Sequence, residues 1–371
     1  MARKRTIHPS FSSGRVFSPA GTLLNESSYP LAGFAECEDD PGKGEGRYFY
    51  VGKVLSRTGG VVNGASNPPD KNNRFENYMP LLFRREGPIE WPHNDVELGF
   101  GTPAYYATKL VAMTNPSRAD VDLPVFVAEL KDLPGLVASE GGKLLRRIAK
   151  YNLRYQFAIR PLVSDLMSML DFVQLTENRL KELKALQKGG LGRTRTLASG
   201  SKTSTKSVTP NSTYGLWYNA TARHTTQGRV WGHVKWYPKT TFPATDAGLL
   251  SLARRSVLGL TIDGATAWEL IPFSWLIDWY GSIGSYLQAT RNIVPCRHTT
   301  PQIMIQKTTE YHVGQTGLRT YGWATQDFVE RFVLKYRTPA EPSPIGARLP
   351  ILTARQLSIV ASLAVIQRKG Y

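Results

Sequence analysis

The sequence predicts an α+β fold, with a helical bundle region and a separate antiparallel β-sheet region built from sequence-distant segments. Three observations carry this expectation. Strand-like and helix-like stretches come in separate runs rather than in strict alternation. The apolar period becomes helical near Ser139 and returns to two after Gly190. Glycine, proline and small polar residues collect in the strand-like runs.

Residues 1–135 form a strand-rich outer region. Apolar runs sit between turn signals at Tyr48 to Leu55, Tyr78 to Phe83, Tyr105 to Met113 and Val125 to Leu130, and each is expected to be a strand. Asn67-Pro68-Pro69-Asp70 interrupts any regular element. Residues 136–190 hold a long basic helix. Leu144, Ile148, Tyr151, Tyr155, Ala158, Leu162, Leu166, Met169, Val173 and Leu180 share one face at about 100° per residue. Pro161 removes a backbone hydrogen bond and is expected to kink or split that helix. Gly189 and Gly190 stop it, with Lys184 and Lys188 in its last turn.

Residues 191–245 form a basic strand-rich segment joining the β region. Val230, Val234 and Trp236 alternate with Trp231, His233 and Lys235, and a flexible tip is expected around Ala198 to Lys206. Residues 246–292 are helical. Within them Thr266-Ala267-Trp268-Glu269 has the spacing of a capping box, and Pro272 interrupts. Residues 293–345 are strands of the β region, marked by Tyr311, Val313, Phe328, Phe332 and Leu334. In residues 346–371 an amphipathic helix, Thr353 to Gln367, closes the chain after the proline-rich stretch Pro339 to Pro350.

Composition narrows the function. The chain has 371 residues, 41% of them hydrophobic, which excludes a mostly disordered polypeptide. Two cysteines, Cys37 and Cys296, exclude a disulfide scaffold and a multi-cysteine zinc module. No run of about 20 apolar residues lacks charge, so no membrane-spanning segment is expected. The basic start, Arg3-Lys4-Arg5, has no apolar run behind it and is not read as a secretory signal.

The net charge of +17 is unevenly spread. Residues 1–142 hold 15 basic and 17 acidic side chains, and residues 143–371 hold 31 and 12. Six basic residues and no acid lie between Lys143 and Ser164, and ten basic residues and no acid between Leu183 and Thr245. Such stretches repel themselves unless a polyanion neutralises them. The candidates are nucleic acid and an anionic membrane surface. Aromatics interleaved with the cations, and the lack of a strongly amphipathic terminal anchor, favour nucleic acid.

Catalytic signals do not emerge. None of the six histidines has a recognisable metal-ligand spacing. Gly142-Lys143, Gly200-Ser201-Lys202-Thr203 and Gly42 to Gly46 each fail as a phosphate or dinucleotide loop. No catalytic residue, metal or cofactor is expected.

The basic helix is the principal candidate site. Lys143, Arg147, Lys150 and Arg154 recur at helical spacing within about 40° of one another, a row that can track a phosphate backbone. With Arg146 they are the expected nucleic-acid-binding residues. Additional nucleic-acid contacts are expected at Arg229, Lys235 and Lys239. There Trp231, Trp236 and Tyr237 suit stacking of unpaired bases, or else form the core face of a half-buried strand. Arg160 precedes Pro161, and both an ion pair with Asp165 or Asp278 and a phosphate contact are open to it. Asp278, inside an apolar run, is read as a structural carboxylate.

The run Ala267 to Gly281, with Trp268-Glu269, Pro272-Phe273-Ser274-Trp275 and Asp278-Trp279, closely resembles the hallmark of maturation proteins of single-stranded RNA bacteriophages, the leviviruses. Tyr155 to Asp165, with Arg160-Pro161 at its centre, resembles that family's second common stretch. Arg160, Asp165, Trp268, Glu269, Trp275, Asp278 and Trp279 are read as its structural motif residues.

The resemblance implies a virion protein, made in the host bacterial cytoplasm and present in a single copy. It would replace one coat protein dimer, hold the viral genomic RNA near its 3′ end and attach the particle to a bacterial pilus. It further implies an elongated body whose helical region faces the RNA and whose β region faces the receptor. The N-terminal strands carry no matching motif, so no receptor-binding residue is assigned. The competing reading is a cellular RNA-binding or RNA-processing protein.

Overall fold

The computed structural model describes residues 3–40, 48–65, 73–120, 171–210, 219–260, 282–314, 326–344 and 354–367, with Ile148, 150–153, 155–156, Arg160, Tyr214 and Ala265. The architecture is α+β with two antiparallel sheets. The chain divides into two compact units. One comprises Met1–Phe100, Thr196–Trp231 and Gln302–Pro339, the other Gly101–Arg195, Gly232–Pro301 and Ala340–Tyr371.

Among the described residues the twelve strands are β1 (Arg3–Ile7), β2 (Phe11–Phe17), β3 (Leu23–Pro30), β4 (Ala35–Asp39), β5 (Phe49–Thr58), β6 (Val62–Ala65), β7 (Arg74–Tyr78), β8 (Leu191–Val208), β9 (Ala220–Pro238), β10 (Cys296–His298), β11 (Gln302–Val313) and β12 (Phe328–Pro339). The larger sheet runs β1-β4-β5-β12-β11-β9-β10, with β8 on β9, and the smaller runs β3-β2-β7-β6.

In the first unit the large sheet joins segments far apart in sequence. β11 and β12 form a hairpin in register from Gln302↔Pro339 to Val313↔Phe328. β12 also pairs with β5, setting Tyr336 opposite Tyr50 and Phe332 opposite Val54. The core under it gathers Tyr29, Met79, Phe83, Ile89, Tyr311, Val313 and Phe328. The rings of Phe83 and Phe328 stack at 4.0 Å. Val16, Val62, Phe75 and Tyr78 make a separate core on the small sheet.

The second unit carries five α-helices described over their full span, besides helical residues at 148 and 150–153: α1 (Pro103–Thr114), α2 (Phe172–Gly189), α3 (Asp246–Leu258), α4 (Ile283–Ala289) and α5 (Ala354–Gln367). Thr102 caps α1 by accepting the Tyr105 N–H at 3.2 Å, and Pro103 holds its first position. Thr245 caps α3 through the Gly248 N–H. The α2 helix packs on α3, and Leu183 and Leu186 of α2 and Leu249, Ala253 and Val257 of α3 are buried. The Asn115 amide donates to the Gln288, Ala289 and Arg291 carbonyls at 2.9–3.1 Å, closing the C-terminal end of α4.

Several element expectations are corrected. Tyr105 to Met113 is the helix α1, not a strand. Tyr106, Ala107, Leu110, Val111 and Ala112 are all buried, and a helix buried nearly all round loses its 3.6-residue signature. The strand expected over Tyr78 to Phe83 ends at Tyr78, and Leu81–Phe83 is a 3-10 turn behind Pro80. The expected flexible tip around Ala198 to Lys206 lies inside the continuous strand β8. Its serines and threonines are held by pairing with β9, as in the 3.1 Å contact between the Thr203 and Thr225 hydroxyls. The expected strand at Val125 to Leu130 lies outside the described residues.

Candidate nucleic-acid interface

Of the helix row read from the sequence, Lys150 is described, whereas Lys143, Arg146, Arg147 and Arg154 lie outside the described residues. Lys150 is half-buried and already engaged within the chain. Its neighbour Asn152 donates to the Ser362 hydroxyl at 2.9 Å and the Ser358 carbonyl at 3.3 Å, which sets this helix against α5.

Three members of the face expected to be apolar are open among the described residues: Tyr151 is 66% exposed, Ile148 56% and Tyr155 47%. Tyr155 and Gln156 form a π-helical turn. It falls in the stretch before Pro161, a residue with no N–H to give to a helical ladder. Arg160 is exposed, and both carboxylates considered as its partner, Asp165 and Asp278, lie outside the described residues. Trp268, Glu269, Trp275 and Trp279 lie outside them too.

Strand β9 presents the second cationic feature. Its burial alternates residue by residue, with Val230, Val234 and Trp236 inward and Arg229 and His233 exposed on the opposite face. This alternation divides the aromatics. Trp236 is core, 2% exposed, and donates its indole N–H to the Thr114 hydroxyl at 3.2 Å. Trp231 and Tyr237 belong to the outward face and are half-buried. The Arg229 guanidinium donates to the Thr196 hydroxyl at 2.7 Å and lies 5.9 Å from the Trp231 ring centroid. The Lys235 ammonium lies 4.9 Å from the Tyr237 ring centroid. Lys239 is exposed just beyond the strand end, and its N–H donates to the Pro295 carbonyl at 2.9 Å.

The acid-free stretch from Leu183 to Thr245 borrows a few carboxylates from elsewhere in the chain. Lys184 pairs with Asp246 at 3.0 Å, Arg193 with Glu182, and Lys206 with Glu90. Arg193 is structural. Burial lowers its pKa against the pull of Glu182, and it also donates to the Thr114 carbonyl at 2.6 Å. Lys202 acts on Glu97, whose carboxylate is held below its ordinary range chiefly by the Asn94 N–H. Lys188, Arg195, Arg223, Arg229, Lys235 and Lys239 face no carboxylate within ion-pair distance among the described residues. Their charge is left for solvent or for an external anion.

Sequence reasoning missed Arg223 and Arg297. Both are exposed, and Arg297 stands opposite Tyr237 in the β9–β10 ladder. Arg223 lies six residues, an even spacing, from Arg229 and so shares its strand face, a signal present in the sequence. Arg297 carried no such signal, because its pairing is non-local.

The fold and these faces are those of a structural α+β protein with cationic surfaces. The phage maturation protein family matches residues 102–314, more than half of the 371, and the chain belongs to that family. No curated protein matches it. The family is one of virion proteins rather than of enzymes. The match takes in the motif stretches Tyr155 to Asp165 and Ala267 to Gly281, and it leaves out the first hundred residues. No helix among the described residues is long and apolar enough to cross a membrane.

Proposed function

We propose that this maturation protein binds the viral genomic RNA near its 3′ end, takes the place of one coat protein dimer in the capsid, and attaches the particle to a bacterial pilus. It is made in the host cytoplasm and incorporated as a single copy. In this reading the helical segments within 136–190, 246–292 and 346–371 form one bundle directed at the RNA. Lys143, Arg146, Arg147, Lys150 and Arg154 neutralise phosphates of a paired stem, selected by shape more than by base sequence. Arg229, Lys235 and Lys239 supply further contacts. Receptor attachment falls to the strand-rich N-terminal part, which carries no family motif. The work is binding and delivery, and it requires no catalytic group.

The observation that carries this reading is the set of exposed cations between Leu183 and Thr245 that meet no carboxylate among the described residues. A folded protein retains such a surface when a polyanion completes it. Particles assembled with Arg147→Glu and Arg154→Glu test the reading. They should contain the protein but lose most of their genomic RNA and their infectivity. Full RNA content with normal infectivity would remove the helix row from the proposal.

A further inference from the structure

The second unit carries a small three-stranded face that the helix row does not explain. It is made by the start of β8, the end of β9 and β10. On β9 its outward residues are His233, Lys235 and Tyr237. On β10 Arg297 stands opposite Tyr237, and Thr299 follows, its N–H donating to the Lys235 carbonyl at 2.9 Å. The facing positions where the chain enters β8 are glycines, Gly190 just before the strand and Gly192 within it.

The glycines bring both rings down onto the strand. A Cβ on Gly190 would fall 2.9 Å from Cδ1 and Cε1 of Tyr237, and 2.7 Å from the Trp236 carbonyl oxygen. Gly190 also has φ +94, a conformation that L side chains rarely adopt. A Cβ on Gly192 would fall 3.3 Å from Cε1 of His233. The Tyr237 phenol therefore lies across bare backbone at Gly190, and the imidazole rests against Gly192. The imidazole Nδ1 is held by the Thr194 hydroxyl at 2.9 Å.

Cations gather about Tyr237. The Lys235 ammonium lies between the two rings in sequence and 4.9 Å from the Tyr237 centroid. Arg297 and Lys239 are exposed beside it. None of these three meets a carboxylate within ion-pair distance among the described residues, and the Glu341 carboxylate accepts the Thr300 hydroxyl at 2.9 Å.

We infer that this face binds an unpaired stretch of RNA, with bases stacked on Tyr237 and His233 and phosphates held by Lys235, Arg297 and Lys239. The two rings stand four residues apart, about 13 Å along the strand. Sheet faces that read single strands stack two or three bases on such residues. A paired stem cannot use them, because its bases are already stacked and its deep groove excludes side chains. A protein partner is disfavoured by the charge: three cations on a face this small need an anion of matching density. The inference rests on the proposal that the protein holds RNA, and adds a second class of RNA segment at a separate place.

The test uses the full chain and two fluorescein-labelled probes, an eight-nucleotide single strand and a hairpin stem, with affinities read by fluorescence anisotropy at one salt concentration. Tyr237→Leu should weaken the single strand about tenfold or more, the scale of losing one stacked base, and leave the hairpin within about twofold. Tyr237→Phe should retain wild-type affinity. If Tyr237→Leu does not fold, His233→Ser with Lys235→Gln replaces it, and the same selective loss is expected.

Equal single-strand affinity in variant and wild type would overturn the inference, as would an equal loss on both probes. Loss of coat protein capture with unchanged single-strand affinity would assign the face to a protein partner and also overturn it. A wild-type protein that binds the single strand selectively through Tyr237 but ignores the hairpin would uphold this face. That outcome would refute only the stem-binding part of the proposed function.

Discussion

Arg57 and Glu330 form a buried ion pair at 2.7 Å, with their side chains 2% and 1% exposed. The Arg57 guanidinium also donates to the carbonyls of Pro30, Arg85 and Gly87, and Glu330 accepts the Ile89 N–H at 2.8 Å. Both residues lie outside the segment matched by the family, one on β5 and one on β12. The pair thus locks adjacent strands of the large sheet to the loop around residues 85–89. Burial raises the Glu330 pKa above the ordinary carboxylate value, against the pull of Arg57.

Glu330→Gln leaves the Arg57 cation buried without its counter-charge and should lower stability by about 3–5 kcal/mol in urea denaturation. Arg57→Met combined with Glu330→Leu should recover part of that loss. A loss under about 1 kcal/mol for Glu330→Gln would show that the carboxylate is already neutral in the fold. A raised pKa means that the folded state holds the proton more tightly. The contribution of Glu330 to stability should therefore be full below its unfolded pKa and shrink as the pH climbs through its raised folded pKa.

Asn115→Ala removes three hydrogen bonds to carbonyls at the end of α4. Each hydrogen bond lost is worth about 0.5–1.5 kcal/mol. Faster amide hydrogen exchange over residues 283–291 is expected, with strands β11 and β12 unaffected. Unchanged exchange in α4 would mean that other groups hold that helix.

Burial pushes the Cys296 thiol up to about 12. In the native protein at pH 8 roughly one thiol in ten thousand is then ionised, so alkylation by iodoacetamide should be very slow. Its rate should rise about tenfold per pH unit up to that value, and denaturant should abolish the protection. Peptide mass mapping after timed alkylation reads this, and rapid native labelling at pH 8 would contradict the burial.

Tyr151→Ser should change stability by less than about 0.5 kcal/mol, because the ring is 66% exposed. A loss of several kcal/mol on thermal melting would return Tyr151 to the core, where the helical period alone had put it.

That last case shows what a sequence pattern can and cannot say. Ile148, Tyr151 and Tyr155 share a helical face, but the period does not say what covers it, and here they are open while Asn152 meets Ser358 and Ser362. On β9 the alternation was legible because Val230, Val234 and Trp236 fill one face and Arg229, His233 and Lys235 the other. On α1 nothing alternates, since nearly every side chain is buried or half-buried. The helix was signalled only by Thr102-Pro103, a cap followed by a first-turn proline. β8 was obscured because its serines and threonines owe their strand conformation to β9 rather than to their own propensity. The cations could be counted from the sequence. Which of them lack carboxylates required the fold, which takes Glu182 to Arg193 and Glu90 to Lys206.

The salt dependence of RNA binding tests the central claim most directly. If the helix row neutralises about five phosphates of a stem, a plot of log affinity against log salt should have a slope near −4. Arg147→Glu with Arg154→Glu should make that slope shallower by about 2, with unchanged thermal stability. A wild-type slope near zero, or a slope that the charge reversals leave untouched, would contradict the account.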